Sequence, residues 1–238
     1  MSRKGIGSNK LFSTFIETEI FILSNKNRIF LGHNRNASSG SQVNANNQHP
    51  FFIDDDMYIT HNGTIKDTRD FCSKYDLPWA QIDVDTIMLG MALHRNGEKV
   101  LETYKGDAAL AYTFLSRQNT LYLYHGASIK YTGGVETEER PLFYMETKEG
   151  IYYSSKLDSL DAIREDEENV ALKLPYNTVF EIKDGVFTGN NVEIIRGTIN
   201  VETVKTYTPG RQGGWNREFF KGHGVGNVSD AYSPLHGS

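Results

Sequence analysis

Between Ala109 and Ile182 the chain breaks into strand-sized runs separated by turn signals, and this punctuation limits the fold more than any other feature. The runs are Ala109–Leu115 (ALAYTFL), Leu121–Tyr124 (LYLY), Pro141–Met145 (PLFYM), Ile151–Ser154 (IYYS) and Thr178–Ile182 (TVFEI). They alternate in polarity or are rich in β-branched and aromatic residues, which suit a half-buried pleated surface. Lys183-Asp184-Gly185 has the form of a hairpin turn. Ser155–Ile163 predicts a short helix between two of the strands. Upstream, Asp83–His94 predicts a helix, with Asp83 or Asp85 as its cap and Gly97 as its stop; Ile87, Met88, Met91 and Ala92 share one face. Lys99–Tyr104 predicts a second helix, burying Val100, Leu101 and Tyr104. Helices grouped between strands, without strict strand–helix alternation, predict an α+β fold with antiparallel sheets and argue against a doubly wound parallel sheet.

The first half is less regular. Residues Met1–Asn9 are small and polar. Lys10–Leu23 (KLFSTFIETEIFIL) is apolar at mixed spacing and fits a helix or a strand. Arg28–Leu31 (RIFL) predicts a short buried strand ending at Gly32, and Ser38–Pro50 predicts a loop. Met57–His61 (MYITH) predicts a strand that Asn62-Gly63 closes as a tight turn. From Tyr207 onward Gly, Asn, Ser and Pro dominate, which predicts a poorly ordered tail over 207–238 after a domain over 1–206.

Composition excludes several function classes. With 38% apolar and 23% charged residues the chain has the texture of a globular protein. A net charge of −5 argues against a nucleic-acid partner, which favours a basic face. No apolar run approaches the ~18 residues of a membrane span, and the basic start has no apolar core after it, so no secretory signal is expected. The one cysteine, Cys72, has no partner for an internal disulfide, so a reducing, cytoplasmic setting is expected. Beside Phe71 it reads as a small buried hydrophobe.

Three clusters carry chemistry. Gly32-His33-Asn34-Arg35-Asn36-Ala37-Ser38-Ser39-Gly40 delivers a guanidinium followed by hydroxyl residues, a set suited to a carboxylate ligand; alone it also fits a surface arginine beside a loop. In His61-Asn62-Gly63, a side-chain amide beside a glycine N–H offers two donors to one developing oxyanion, although Asn-Gly is also a common turn. Asp83-Val84-Asp85-Thr86 sets a carboxylate at a helix start, to hold an ammonium or to cap the helix. His33, His49 and His61 do not share a metal-ligand spacing and are expected to pack and hydrogen-bond; no metal and no cofactor is expected.

Taken in order with Asn46–Pro50 (NNQHP), these clusters resemble the class II glutamine amidotransferases. That family shares a Gly-His-Thr-Arg-Trp-Ala-Thr motif, an Asn-Ala-His-Pro segment, a His-Asn-Gly turn and a Ser-Asp-Thr-Glu segment. Gly106-Asp107-Ala108-Ala109, Arg140-Pro141-Leu142 and Ile151–Ser155 resemble its later strands. The resemblance covers roughly Leu31 to Gly185 and is strongest to small stand-alone bacteriophage versions. It implies an N-terminal-nucleophile hydrolase fold, an αββα sandwich of two antiparallel sheets. It also implies hydrolysis of the glutamine side-chain amide by an N-terminal cysteine whose own α-amine is the base.

Carried over by position, Arg35 binds the α-carboxylate, with Ser38 and Ser39 lining the same pocket. Asn62 and Gly63 form the oxyanion hole, and Asp85 holds the α-ammonium. Asn36 stands where the family has a bulky aromatic, and Ile87 where it has Glu. The family's N-terminal Cys-Gly-Ile and its Arg-Gly-x-Asp stretch have no counterpart before Gly32, so the fold is expected to be incomplete at its N-terminus. A split gene, a misassigned start or a loss of catalysis would each account for this. Ser2, N-terminal once Met1 is removed, is the one candidate nucleophile in the chain. The expected partners are glutamine or glutamate, a separate N-terminal fragment and an ammonia-accepting protein, with no nucleic acid and no membrane. The alternative is a catalytically inactive binding or interaction module.

Overall fold

Seven short antiparallel strands build the sheet that organises the molecule, and their sequences explain why. The computed structural model describes residues 29–34, 44–126, 128–131, 135–138, 140–164 and 166–196, all within one compact unit. Strands β1 (Phe51–Ile53), β2 (Met57–Gly63), β3 (Ala108–Phe114) and β4 (Thr120–Gly126) are followed in the same sheet by β10 (Thr178–Lys183), β11 (Val186–Phe187) and β12 (Val192–Glu193). The order is β1-β2-β3-β4-β10-β11, with β12 also paired to β10, and every pairing is antiparallel. Asp184 and Gly185, both at positive φ, close the β10–β11 hairpin as the sequence predicts. A second antiparallel sheet has the order β8-β7-β9, from β7 (Phe143–Thr147), β8 (Gly150–Ser154) and β9 (Ala171–Lys173). A separate ribbon pairs β5 (Ser128–Tyr131) with β6 (Val135–Glu138).

The two-residue period of the main sheet divides the core. Met57, Ile59, Leu110, Tyr112 and Tyr124 face one way, onto a cluster that includes Met88, Leu89, Ala92 and Leu93 of a helix. Ala109, Ala111, Leu121, Leu123 and Ile182 face the other way, onto Tyr144, Ile151 and Tyr153 of the second sheet. Each fully buried large apolar side chain here contributes about 1.5–3 kcal/mol. The helices on the first face are α1 (Thr68–Lys74), α2 (Asp85–Asn96) and α3 (Val100–Thr103); α4 (Leu157–Asp161) contacts the second sheet. Leu160 of α4 is buried, as is Met145, which points out of β7 away from the inter-sheet core. The fold is α+β, with layers helix, sheet, sheet, helix. Among the described residues no helix is long and apolar enough to cross a membrane.

The structure corrects three local expectations. Ile29–Leu31 is not a strand: Ile29 and Leu31 pack on the inter-sheet core, while Phe30 is exposed and its carbonyl accepts from the Tyr153 hydroxyl (3.4 Å). Asn62-Gly63 is not a turn, because both residues extend β2, Asn62 opposite Ala109 and Gly63 opposite Ala108. No aspartate side chain caps α2; its N-cap is the extended Val84. Gly97 does stop that helix, at φ 69. Arg28, Lys10–Leu23 and the tail expected over 207–238 lie outside the described residues. Cys72 sits in α1, buried in the first core, and burial pushes its thiol pKa up, as suits an inert packing residue.

Candidate functional site

The end of β2 and the start of α2 meet at one hydroxyl. Thr86 Oγ1 lies 3.0 Å from His49 Nε2 and 3.2 Å from His61 Nδ1. On its other side, His61 Nε2 lies 3.0 Å from the Tyr104 hydroxyl, which donates to the Asp107 carbonyl at 2.8 Å. The His33 ring lies against His49, centroids 4.0 Å apart and planes tilted by 39°. Four segments that the sequence separates, containing His33, His49, His61 and Thr86, therefore converge on one place. All the hydrogen-bonded members are buried.

Counting protons gives this chain a direction. Tyr104 has one hydroxyl hydrogen and spends it on the Asp107 carbonyl, so toward His61 it can only accept. His61 Nε2 therefore carries a hydrogen. Burial lowers the His61 pKa; the Arg140 charge adds to this and the Asp85 charge opposes it, so the ring is neutral and Nδ1 is an acceptor. Thr86 must then donate to His61 Nδ1, and it receives its own hydrogen bond from His49 Nε2–H. The run His49 → Thr86 → His61 → Tyr104 → Asp107 carbonyl has one consistent set of donors, which fixes the tautomer of both histidines.

Gly63 is a glycine because of this run. A Cβ there would collide with the Asp107 carbonyl oxygen and would lie 2.5 Å from His61 Nε2. The residue has no need of positive φ; it needs the absence of a side chain. Asn62 points to the opposite face of β2 from His61, the face shared with cross-strand Ala109 and turned toward the second sheet. Asp85 is buried, and its Oδ2 accepts the Ile65 N–H at 3.0 Å. Arg196 donates to the carbonyls of Tyr104 and Gly106, the latter at 3.0 Å, and its guanidinium lies 5.6 Å from the Tyr104 ring centroid.

Of the residues singled out in the sequence, Gly63 and Asp85 therefore lie at the β2–α2 junction, Asp85 bonded to the Ile65 N–H two residues after Gly63, whereas the Asn62 side chain leaves from the opposite face of β2. Arg35, Ser38, Ser39 and Ser2 lie outside the described residues. Sequence reasoning did not single out Thr86, Tyr104, Asp107 or Arg196 as a group. The only available signal was that Thr86 follows Asp85 and that Asp107 follows a glycine. Among the described residues no cluster has the make-up of a metal site.

No protein-family model matches the chain, and no curated protein sequence does. Solved structures are similar to it at low identity. One is the allosteric regulatory enzyme of purine biosynthesis, with 14% identity, 66% of this chain and 32% of that one covered, and a TM-score of 0.46. Another is the glutamine phosphoribosylpyrophosphate amidotransferase of B. subtilis, with 16% identity, 71% and 34% coverage and a TM-score of 0.49. A third is a glutamine aminotransferase class-II domain protein of Silicibacter pomeroyi, with 13% identity, 66% and 74% coverage and a TM-score of 0.42. The chain spans about a third of the length of the first two.

Proposed function

We propose that this chain is a glutamine-binding domain of the class II amidotransferase kind. Arg35 pairs with the substrate α-carboxylate, Ser38 and Ser39 line that pocket, and Asp85 takes the α-ammonium. The Asn62 amide and the Gly63 N–H receive the side-chain carbonyl oxygen and stabilise the charge that develops on it. Given an N-terminal nucleophile, the domain hydrolyses the amide to glutamate and ammonia. That nucleophile is Ser2 or a residue on a separate N-terminal segment, with a terminal amine as its base. The ammonia passes to an acceptor on another protein. The observation that carries this reading is the convergence of the four motif segments on Thr86 and His49.

A second reading, binding without hydrolysis, is favoured by one observation: the single cysteine is buried in α1. One pair of measurements separates the two. Calorimetry with L-glutamate and L-glutamine should give heat with wild type and at least about a tenfold weaker Kd for Arg35→Ala, because a bidentate charge-assisted contact is lost. Equal binding by both proteins removes the glutamine site. Ammonia release from L-glutamine is then followed with the chain alone and with an added N-terminal Cys-Gly-Ile fragment. Release in either arm supports the hydrolase; binding without release in both leaves the binding module.

A further inference from the structure

Two adjacent residues of α2 grip the chain on either side of Gly63. Thr86 holds the ring of His61, two residues before it, and Asp85 holds the N–H of Ile65, two residues after it. The His61 ring is fixed from both nitrogens, by Thr86 and by the Tyr104 hydroxyl, so it has no freedom to turn. The space a Gly63 side chain would occupy is filled by two members of the same run, His61 Nε2 and the Asp107 carbonyl. Any movement of His61 or of that carbonyl therefore presses on the Gly63 main chain and carries Asn62 with it. We infer that Thr86 and Tyr104 are positioning residues for the Asn62–Gly63 donor pair, acting through His61 and never touching the ligand. The inference rests on the glutamine-site reading for what the pair binds, but the positioning itself is a property of the hydrogen-bonded run.

The run also reaches beyond the motif segments. Arg196 grips the carbonyls of Tyr104 and Gly106, on the loop that supplies both the last hydroxyl and the accepting carbonyl. The far anchor is thus held by a residue some 90 positions later in sequence. Its guanidinium completes the set of groups that keep the Tyr104 hydroxyl aimed at Asp107.

The test is nuclear magnetic resonance of the full chain with labelled histidine, alongside L-glutamate calorimetry, on wild type, Thr86→Val, Thr86→Ser and Tyr104→Phe. Wild type should show His61 protonated at Nε2 and bare at Nδ1. Thr86→Val leaves Nδ1 without its donor. It should shift the Gly63 backbone and Asn62 side-chain amide signals and weaken L-glutamate binding about tenfold. Thr86→Ser restores the hydroxyl and should return binding to within about twofold of wild type. Tyr104→Phe should disturb the His61 tautomer and the same two amides, and it decides the matter should Thr86→Val fail to fold. A wild-type His61 protonated at Nδ1 overturns the inference. So does a folded Thr86→Val, or a Tyr104→Phe in its place, that leaves the Asn62 and Gly63 signals and the binding unchanged. If wild type binds no L-glutamate, the glutamine-site reading fails alone, and the amide shifts still decide the positioning role.

Discussion

At its first turn, helix α2 presents Thr86 to His61 of the β1–β2 hairpin and to His49 just before it, and Asp85 to the Ile65 N–H just after it; these residues, His49, His61, Asp85 and Thr86, are 1–7% exposed. At its last turn it meets the same hairpin through His94 and Arg95, which face Asp54 and Asp56 across 3.2–3.7 Å, with side chains 24–43% exposed. Both ends use a histidine at the contact between helix and hairpin, yet they use opposite physics. The inner end relies on hydrogen bonds among uncharged rings and hydroxyls, where a missing partner leaves a polar atom stranded in a low-dielectric interior. The outer end sets Arg95 and His94 against aspartates at a water-exposed surface, where an ion pair such as Arg95–Asp54 is screened and worth little. Only the inner end therefore imposes a single geometry, and the candidate donors Asn62 and Gly63 lie beside it.

The sharpest way to break this contrast is to add one methyl group at the inner end. Gly63→Ala places a Cβ into the Asp107 carbonyl and against His61 Nε2, and the first of these is backbone leading directly into β3 and bonded to the Tyr104 hydroxyl, so it cannot swing aside freely. Overpacking of this kind destabilises by about 3 kcal/mol. Urea unfolding should show a loss of that order, together with changed His61 signals. A variant as stable as wild type would mean that the strand end is looser than the geometry allows and that glycine is not required there.

How much of this the sequence carried differs between regions. The strands of the second half were legible because Leu121–Tyr124 and Thr178–Ile182 each carry enough β-branched and aromatic residues to show a period. Strands β1, β9, β11 and β12, two or three residues long, are too short to show one, and they exist because longer neighbours offer a ladder edge. Helix α1 buries only Phe71 and Cys72, too few to mark a face. At the site, Asn62-Gly63 misled because local propensity favours a turn, whereas cross-strand pairing with Ala109 and Ala108 carries both residues on in extended form. Asp85 misled in the same way: short carboxylates cap helices locally, but the Ile65 N–H competes for this one from another element. The link between Thr86, His61 and Tyr104 could not be read at all, since these three are 18 or more positions apart and only the folded sheet brings them together.

The two ends should also titrate in different windows. Burial holds the His61 pKa below its ordinary 6.5, so the folded chain keeps this ring neutral while the unfolded chain takes up a proton. Above that value neither state binds the proton and stability is level. As pH falls below 6.5 the unfolded state is favoured, and this group makes stability drop by up to about 1.4 kcal/mol per pH unit until the folded pKa is reached. At the outer end, hydrogen bonds from the Ser116 hydroxyl and N–H hold the Asp56 pKa below its ordinary 3.8. Its contribution is present above 3.8 and is lost only as pH falls through the lowered folded value. Urea unfolding at steps between pH 8 and pH 3, with His61 followed by magnetic resonance, should show the inner loss first. A His61 signal that titrates at or above 6.5 in the folded protein would erase the distinction.

The smallest effect belongs to the outer end and is diagnostic because it is small. Arg95→Ala removes the 3.2 Å contact between Nε and Asp54 Oδ2. His94 Nδ1 remains 3.4 Å from the same oxygen, and Asp56 stays anchored by Ser116. A half-exposed arginine gives up water and side-chain freedom to make such a pair, so its removal should cost only about 0.5 kcal/mol at low salt. Ionic screening should erase even that at 1 M salt, where the Debye length falls to about 3 Å. Parallel urea curves for wild type and Arg95→Ala at the two salt concentrations measure this directly. A loss several times larger, or one that persists in high salt, would mean that the outer charges act in a drier setting than their exposure indicates. The His94–Asp54–Arg95 group would then have to be treated, like the Thr86 run, as a determinant of where α2 sits on the hairpin.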